Sequence, residues 1–268
     1  MPDFVVLGHV TRDLITRNTG EHDERLGGAA TYVSQTAARL GLHADLVTAV
    51  PMNFALLDPV RHNPNITMHE QPCDVVTTFG LDYRGDVRTV RLLHGSSPMR
   101  EVGQQLRNAR LAYLGPVIGE LEGDALNWFP RARITVGLQG FMREADATGA
   151  IHAKDPPSLD LLARANAIVF SEHDHPDAEA FAQHIATRIP VVVLTRGARG
   201  ATLFDHGVAA AVEPVPVVER DPTGAGDVFA AALAVWLGRD ATPMDAARQA
   251  AYCAAQAVAG TFFDRSTL

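Results

Sequence analysis

Between Asp221 and Leu237 the chain reads DPTGAGDVFAAALAVWL. Phe229 to Leu237 carries no charge and is Ala-rich, so it predicts a buried helix ended by Gly238. Gly224, Ala225 and Gly226 then lie at its N-terminus, where backbone N–H groups lack intrahelical partners and the helix dipole is positive. Such a turn holds anions, phosphate groups among them. Asp227 follows in the first turn and has two readings. One is structural, since acidic side chains complement the dipole. The other is a general base that takes a proton from a substrate hydroxyl while the glycine turn holds a transferring phosphoryl group. Two glycines in three residues favour the second, because they let a ligand approach the backbone.

The elements that must position this turn are readable in outline. Phe4 to Leu7 is a short apolar strand closed by Gly8, and Ala30, Val33, Ala37 and Leu40 recur at helical spacing up to Gly41. Asp45 to Val50 is a strand, and the Pro-containing segment after Val50 is assigned only loosely. Cys73 to Leu93 alternates around a turn at Arg84-Gly85-Asp86 and reads as an exposed hairpin. With Leu14 to Thr16 it makes a small sheet, whose Arg84, Arg88 and Arg91 are most simply solvated edge charges. Strands at Leu111–Leu114, Ile134–Leu138, Ala167–Phe170 and Val191–Leu194 alternate with helical stretches at Asp160–Ala165 and Ala178–Ile189. Thr242-Pro243-Met244-Asp245 has the form of a helix start, and that helix runs to about Ala259. The rhythm is that of an α/β fold, a mainly parallel sheet with helices on both faces. Gly115, Gln139, Ser171 and Thr195 all fall at strand ends, where such sheets bind ligands.

The run Asp221-Pro222-Thr223-Gly224-Ala225-Gly226-Asp227-Val228-Phe229 resembles the C-terminal signature of the ribokinase-like (PfkB) family of carbohydrate and nucleoside kinases. The resemblance implies a three-layer ribokinase-like fold in one kinase domain, residues 1–268, with a small β lid contributed by about 9–27 and 73–95. It also implies ATP as donor, Mg²⁺ bridging its phosphates, Asp227 as base and Gly224, Ala225 and Gly226 as anion hole. Leu26-Gly27-Gly28 before a helix is similar to the family's N-terminal signature; Tyr32 stands where the family usually has Asn. Asp13, read alone as a turn or edge residue, falls where the family hydrogen-bonds substrate hydroxyls. Gly27, Gly28, Tyr32 and Asp13 are thus expected on the substrate, joined by Arg143, which fits a salt bridge equally well. Ser171-Glu172-His173-Asp174 stands at the family's N-x-x-E element, with Asp174 the candidate for magnesium through water. Ser171 is equally readable as a helix N-cap. Thr195-Arg196-Gly197 matches the T-x-G element on the nucleotide phosphates, and Gly200 reads as a hairpin turn. Thr223 is expected at the nucleotide, and Ala251 at the base, where Asn is frequent in the family.

Composition narrows the class. The 268 residues are 47% hydrophobic, enough for a sizeable core, and 31 acidic against 23 basic residues give a net charge of -8. That balance argues against nucleic-acid binding and against an anionic membrane surface. Cys73 and Cys253 stand in no disulfide or metal pattern. The histidines His22, His43, His94, His173 and His175 read as surface or satisfied residues. The N-terminus has no basic leader and no run is long enough to span a bilayer, so a cytoplasmic location is expected. No G-x-x-x-x-G-K-[ST] occurs, and no G-x-G-x-x-G follows the first strand, which disfavours P-loop and dinucleotide-binding readings. The expected activity is ATP-dependent phosphorylation of a small sugar or related polyol. Nucleoside and inositol kinases of the same family are the alternative, and a catalytically silent ligand-binding or regulatory protein on this scaffold is the alternative from another class. The exposed lid strands make a homodimer through the lid an expectation.

Overall fold

A computed structural model describes residues 2–17, 19–84 and 87–263 of the chain. Gly85 and Asp86 of the expected hairpin turn, and the side chains of Arg84 and Arg88, lie outside the described residues. In chain order the strands are β1 (Phe4–Leu7), β2 (Thr11–Thr16), β3 (His22–Gly27), β4 (Ala44–Val50), β5 (Ile66–Pro72), β6 (Thr77–Arg84), β7 (Val87–His94), β8 (Leu111–Leu114), β9 (Arg133–Gly137), β10 (Arg143–Ala145), β11 (Ile151–Ala153), β12 (Ala167–Ser171), β13 (Val191–Thr195), β14 (Ala201–Asp205) and β15 (Val208–Val212). The helices are α1 (Ala29–Arg39), α2 (Asp58–Arg61), α3 (Gln104–Arg107), α4 (Leu159–Leu162), α5 (Ala178–Ile185), α6 (Ala225–Gly238) and α7 (Pro243–Val258).

Nine strands form one sheet in the order β15-β14-β13-β12-β9-β8-β1-β4-β5. From β13 to β5 every pair is parallel, and β14 and β15 close the other edge antiparallel. The central strands are buried on both faces, which is why they read as unbroken apolar runs. Alternation along β1 sends Phe4 and Val6 to one core and Val5 and Leu7 to the other. The first core packs under α1, α6 and α7, with Ala30, Val33, Ala231 and Ala247 fully buried. The second packs under α3 to α5, through Leu106, Leu162 and Ile185. These are three layers, helices, sheet, helices. A separate four-stranded sheet, β3-β2-β6-β7, stands outside them and is held by Ile15, Phe79, Leu81 and Val117. Among the described residues no helix is long and apolar enough to cross a membrane.

Several boundaries differ from the sequence reading. The helix expected over 178–189 ends at Ile185; Thr187 Oγ1 takes the carbonyl of His184, and Pro190 disfavours helix in the residue before it. The helix expected over 160–165 is one α-turn, Leu159–Leu162, continued by tighter i,i+3 bonds to Ala165. The N-cap alternative for Ser171 is overturned: turns fill the residues after it and α5 begins only at Ala178. Strands β3, β5, β10, β11 and β15 are additions to the expected elements. Gly200 does turn the β13–β14 hairpin, with Arg196 N–H donating to its carbonyl. Thr242 caps α7 by accepting from Asp245 N–H, with Pro243 at the first helical position.

Candidate functional site

The start of α6 is built from Asp221. Its Oδ1 accepts from Thr223 N–H at 2.9 Å, and its Oδ2 from Arg25 Nη1 of β3 at 2.9 Å. The turn thus tied to the small sheet reaches Gly224, the residue before the helix, at φ 75°. An L side chain is strained there, and a methyl group would stand 2.5 Å from Cδ1 of Tyr32. Tyr32, on α1, therefore lies flat against the anion turn. Gly226 and Asp227 offer their backbone N–H groups to no described residue, as the first turn of a helix leaves them. Behind them α6 is apolar on all sides, which buries it between the sheet and α7.

The turn opens into a cavity of about 400 Å³ at the carboxyl ends of the parallel strands. One side of it is formed by Thr11, Asp13, Gly28 and Tyr32, and an apolar wall by Phe79, Leu81, Val90 and Val117. Ser171, Asp174, Thr195, Thr223 and Gly224 line it as well, Gly224 directly against Tyr32. Asp227, Gly226, Tyr113, Gln139 and Arg143 lie at the cavity too. Burial pushes the Asp227 carboxyl up to about 7. The Arg143 guanidinium pulls it back, and the Asp174 carboxylate adds to the rise. A carboxyl titrating near neutrality at a helix N-terminus is poised to exchange a proton with a ligand hydroxyl.

The surrounding groups are fixed by short contacts. Asp13 Oδ1 accepts from Thr11 Oγ1 at 2.8 Å, and Gly27 lies directly against the same carboxylate. Burial and the carboxylates of Asp13, Asp227 and Asp221 raise the Tyr32 phenol well above its ordinary value, so it is neutral and a donor. Arg143 Nε donates to the Val117 carbonyl while its guanidinium stacks over the Phe79 ring, 5.6 Å from the centroid. Asp174 Oδ2 accepts from Ser171 N–H at 2.8 Å, and Oδ1 from Gln139 Nε2 at 2.8 Å. Thr195 Oγ1 donates to the Phe170 carbonyl at 3.2 Å.

The structure thus brings together Asp13, Gly28, Tyr32, Arg143, Ser171, Asp174, Thr195, Thr223, Gly224, Gly226 and Asp227. Gly27 sits one residue behind this lining, and Ala225 is the first residue of α6 behind the turn. Gly197 is exposed beyond Thr195, and Ala251 is half-buried on α7; neither lines the cavity. Two groups escaped the sequence reading. Phe79, Leu81 and Val90 belong to the hairpin read there as exposed, and their alternation with polar neighbours was the available signal. Tyr113 is hidden in the apolar run of β8, which offers no local sign of a ligand contact.

Comparison with known proteins gives these features a context. Residues 162–261 match the pfkB family carbohydrate kinase pattern. The chain is 29% identical to an inositol 3-kinase of Oryza sativa subsp. japonica, over 95% of this chain and 68% of that one. Its fold superposes on a pyrophosphate-dependent kinase in the ribokinase family, complexed with a pyrophosphate analog and myo-inositol, with a TM-score of 0.81 at 18% identity, covering 95% of this chain and 94% of the other. It superposes likewise on the ribokinase of Arabidopsis thaliana complexed with ribose and ATP, with a TM-score of 0.76 at 15% identity, covering 96% and 92%.

Proposed function

We propose that this pfkB-family chain, folded like the ribokinases, is a kinase that transfers a terminal phosphoryl group to a hydroxyl of a small cyclic polyol. One observation carries the reading. Asp227, with its carboxyl lifted to about 7, stands in the first turn of α6 behind an open anion turn, in one cavity that Thr11, Asp13 and Tyr32 line together with Ser171, Thr195 and Thr223. In this reading Asp13, Thr11 and Tyr32 orient the acceptor. Asp227 takes the proton of the attacking hydroxyl. The N–H groups of Gly226 and Asp227 and the Arg143 guanidinium meet the charge on the phosphoryl group in flight. Transfer of this kind needs positioning and charge stabilisation more than covalent chemistry.

Among acceptors, inositol is favoured. The cavity lining places the apolar Phe79, Leu81 and Val90 beside the polar Thr11 and Asp13, with Asp13 paired in register with Phe79. That matches a ring with a C–H face and a hydroxyl rim. ATP is the donor in the first reading, held at its phosphates by Thr195, Ser171 and Thr223. Asp174 fits a magnesium ion approached through water, because each of its oxygens accepts a single hydrogen bond and keeps a free lone pair. Bound there, the ion supplies positive charge to the donor phosphates. Pyrophosphate is a second reading of the donor. It is favoured by the cavity lining, which takes in Thr195 and Thr223 but neither Gly197 nor Ala251, the residues expected further along a nucleotide. Pairing of two copies through the small sheet belongs to the same proposal, and the mass in solution tests it.

The experiment is phosphoryl transfer measured with ATP and with pyrophosphate against myo-inositol, ribose and cytidine. Transfer to myo-inositol supports the reading, and the more efficient donor decides between the two. Tight nucleotide binding with no transfer to any acceptor refutes it in favour of a silent scaffold.

A further inference from the structure

Tyr113 lies in the middle of β8 and is 1% exposed, among the largest side chains of the core. Its ring does not end in the core. It runs along the sheet toward the carboxyl edge, over two positions that have no side chain. A methyl at Gly115, two residues on, would stand 2.4 Å from Tyr113 Cε1. A methyl at Gly137, in the neighbouring strand β9, would stand 2.2 Å from the phenol oxygen. Both are closer than a tolerable contact, so the ring keeps this position because both residues are glycine. At the end of the slot the phenol reaches the cavity where Asp227 and Ala230 of α6 come down on the sheet.

The phenol makes no hydrogen bond to any described residue. Its oxygen opens into the cavity, so the partner it takes there is a solvent or ligand group. Its burial, with the Asp227 carboxylate nearby, raises its pKa far above the ordinary value, so it stays a neutral donor and acceptor. Packing alone would be served by Phe, which fills the same slot without presenting a hydroxyl to the cavity.

We propose that Tyr113 is a substrate-contacting residue whose phenol hydrogen-bonds the acceptor beside the hydroxyl that Asp227 deprotonates, fixing which hydroxyl is phosphorylated. The inference rests on the kinase reading above and adds to it a determinant of position on the ring. On a polyol, several hydroxyls are chemically alike. A donor–acceptor group in the cavity lining near Asp227 distinguishes the ring orientations that present one hydroxyl or another to the base. A site built to pair with a hydroxyl discriminates more sharply than an apolar surface does.

The test is Tyr113→Phe, which keeps the ring in its slot. Thermal melting is expected to match the wild type, because no bond within the protein is lost. The KM for myo-inositol is expected to rise roughly tenfold or more, the cost of one unmet polar partner. The KM for the phosphoryl donor stays unchanged, and the product, resolved by NMR, becomes a mixture of positional isomers. Unchanged acceptor KM with a single unchanged isomer overturns the inference, and so does a rise confined to the donor KM. A wild type that phosphorylates none of myo-inositol, ribose or cytidine overturns the kinase reading itself. A wild type that does so beside an unaltered Tyr113→Phe overturns the role of Tyr113 alone.

Discussion

Replacing Asp227 with Asn separates the cost of the site from its use. The carboxyl titrates at about 7 in the folded protein against 3.8 for an ordinary aspartate. Its folded pKa is raised, so the stability contributed by the protonated form is complete below the unfolded value and is lost as pH climbs through 7. A shift of about 3 units corresponds to about 4 kcal/mol if the group were sealed off. Asp227 is only half-buried, open to the cavity, and solvent there reduces the figure to on the order of 1–2 kcal/mol. Asn carries no charge at any pH and escapes this penalty. The expected result at pH 8 is a variant that melts about 2–8 °C above the wild type, since each kcal/mol moves a chain of this size by about 2–4 °C. At pH 4 the two curves should nearly coincide, because wild-type Asp227 is then protonated. Phosphoryl transfer falls roughly 10²- to 10⁴-fold in the same variant. Scanning calorimetry at both pH values with a coupled transfer assay measures all of this. A variant that melts below the wild type at pH 8, or a difference that does not change with pH, refutes the strained-carboxyl argument. Near-normal turnover refutes the base.

Other perturbations act on the same group. Asp174→Asn removes a carboxylate that raises Asp227, so the rising limb of kcat/KM against pH moves to lower pH. Arg143→Met removes the cation that lowers it, so that limb moves to higher pH. Opposite shifts are the expected outcome, and shifts of the same sign would break the electrostatic account. Gly224→Ala sets a methyl 2.5 Å from the Tyr32 ring at a left-handed backbone; melting should drop by an amount equivalent to about 1–3 kcal/mol, and transfer should fall with it.

The parts of the fold that obey short-range rules were legible in the residues. The glycine pair before α1, the anion turn before α6 and the apolar runs of β1, β4, β8, β12 and β13 depend only on neighbours in sequence. What was missed depends on partners far along the chain. His22–Gly27 is charged and exposed over most of its length, and it is a strand because β2 pairs with it residue for residue. Ile66–Pro72 has no apolar alternation strong enough to mark it, and it is held by β4 at the sheet edge. The same division runs through the site. Asp227 and Thr195, singled out at a helix start and a strand end, and Asp174, singled out by the family resemblance, line one cavity. Tyr113 was not singled out, because its role comes from Gly137 in another strand. His9 is a further case: buried at the crossing into the small sheet, it faces Thr77 through Nδ1 at 2.8 Å, while its backbone N–H donates to Glu120 at 2.9 Å.

The two halves of the cavity are not independent. Tyr32 belongs to the acceptor side, yet its ring is the surface against which Gly224 of the anion turn is pressed. Arg25 of the small sheet holds Asp221 at the start of the same turn, and Arg143 leans on Phe79 of that sheet while acting electrostatically on Asp227. A displacement of the small sheet therefore reaches the anion turn through Arg25 and the base through Arg143. An acceptor that fills the space beneath Phe79 and Leu81 favours the sheet position in which these contacts are made. Arg25→Ala cuts one of the two links at an exposed ion pair, so melting should change by less than about 1 kcal/mol in equivalent stability. Under this coupling the variant still loses transfer rate and donor affinity although it touches neither substrate. A variant with unaltered donor KM and kcat would mean that the small sheet closes over the acceptor without governing the transfer step.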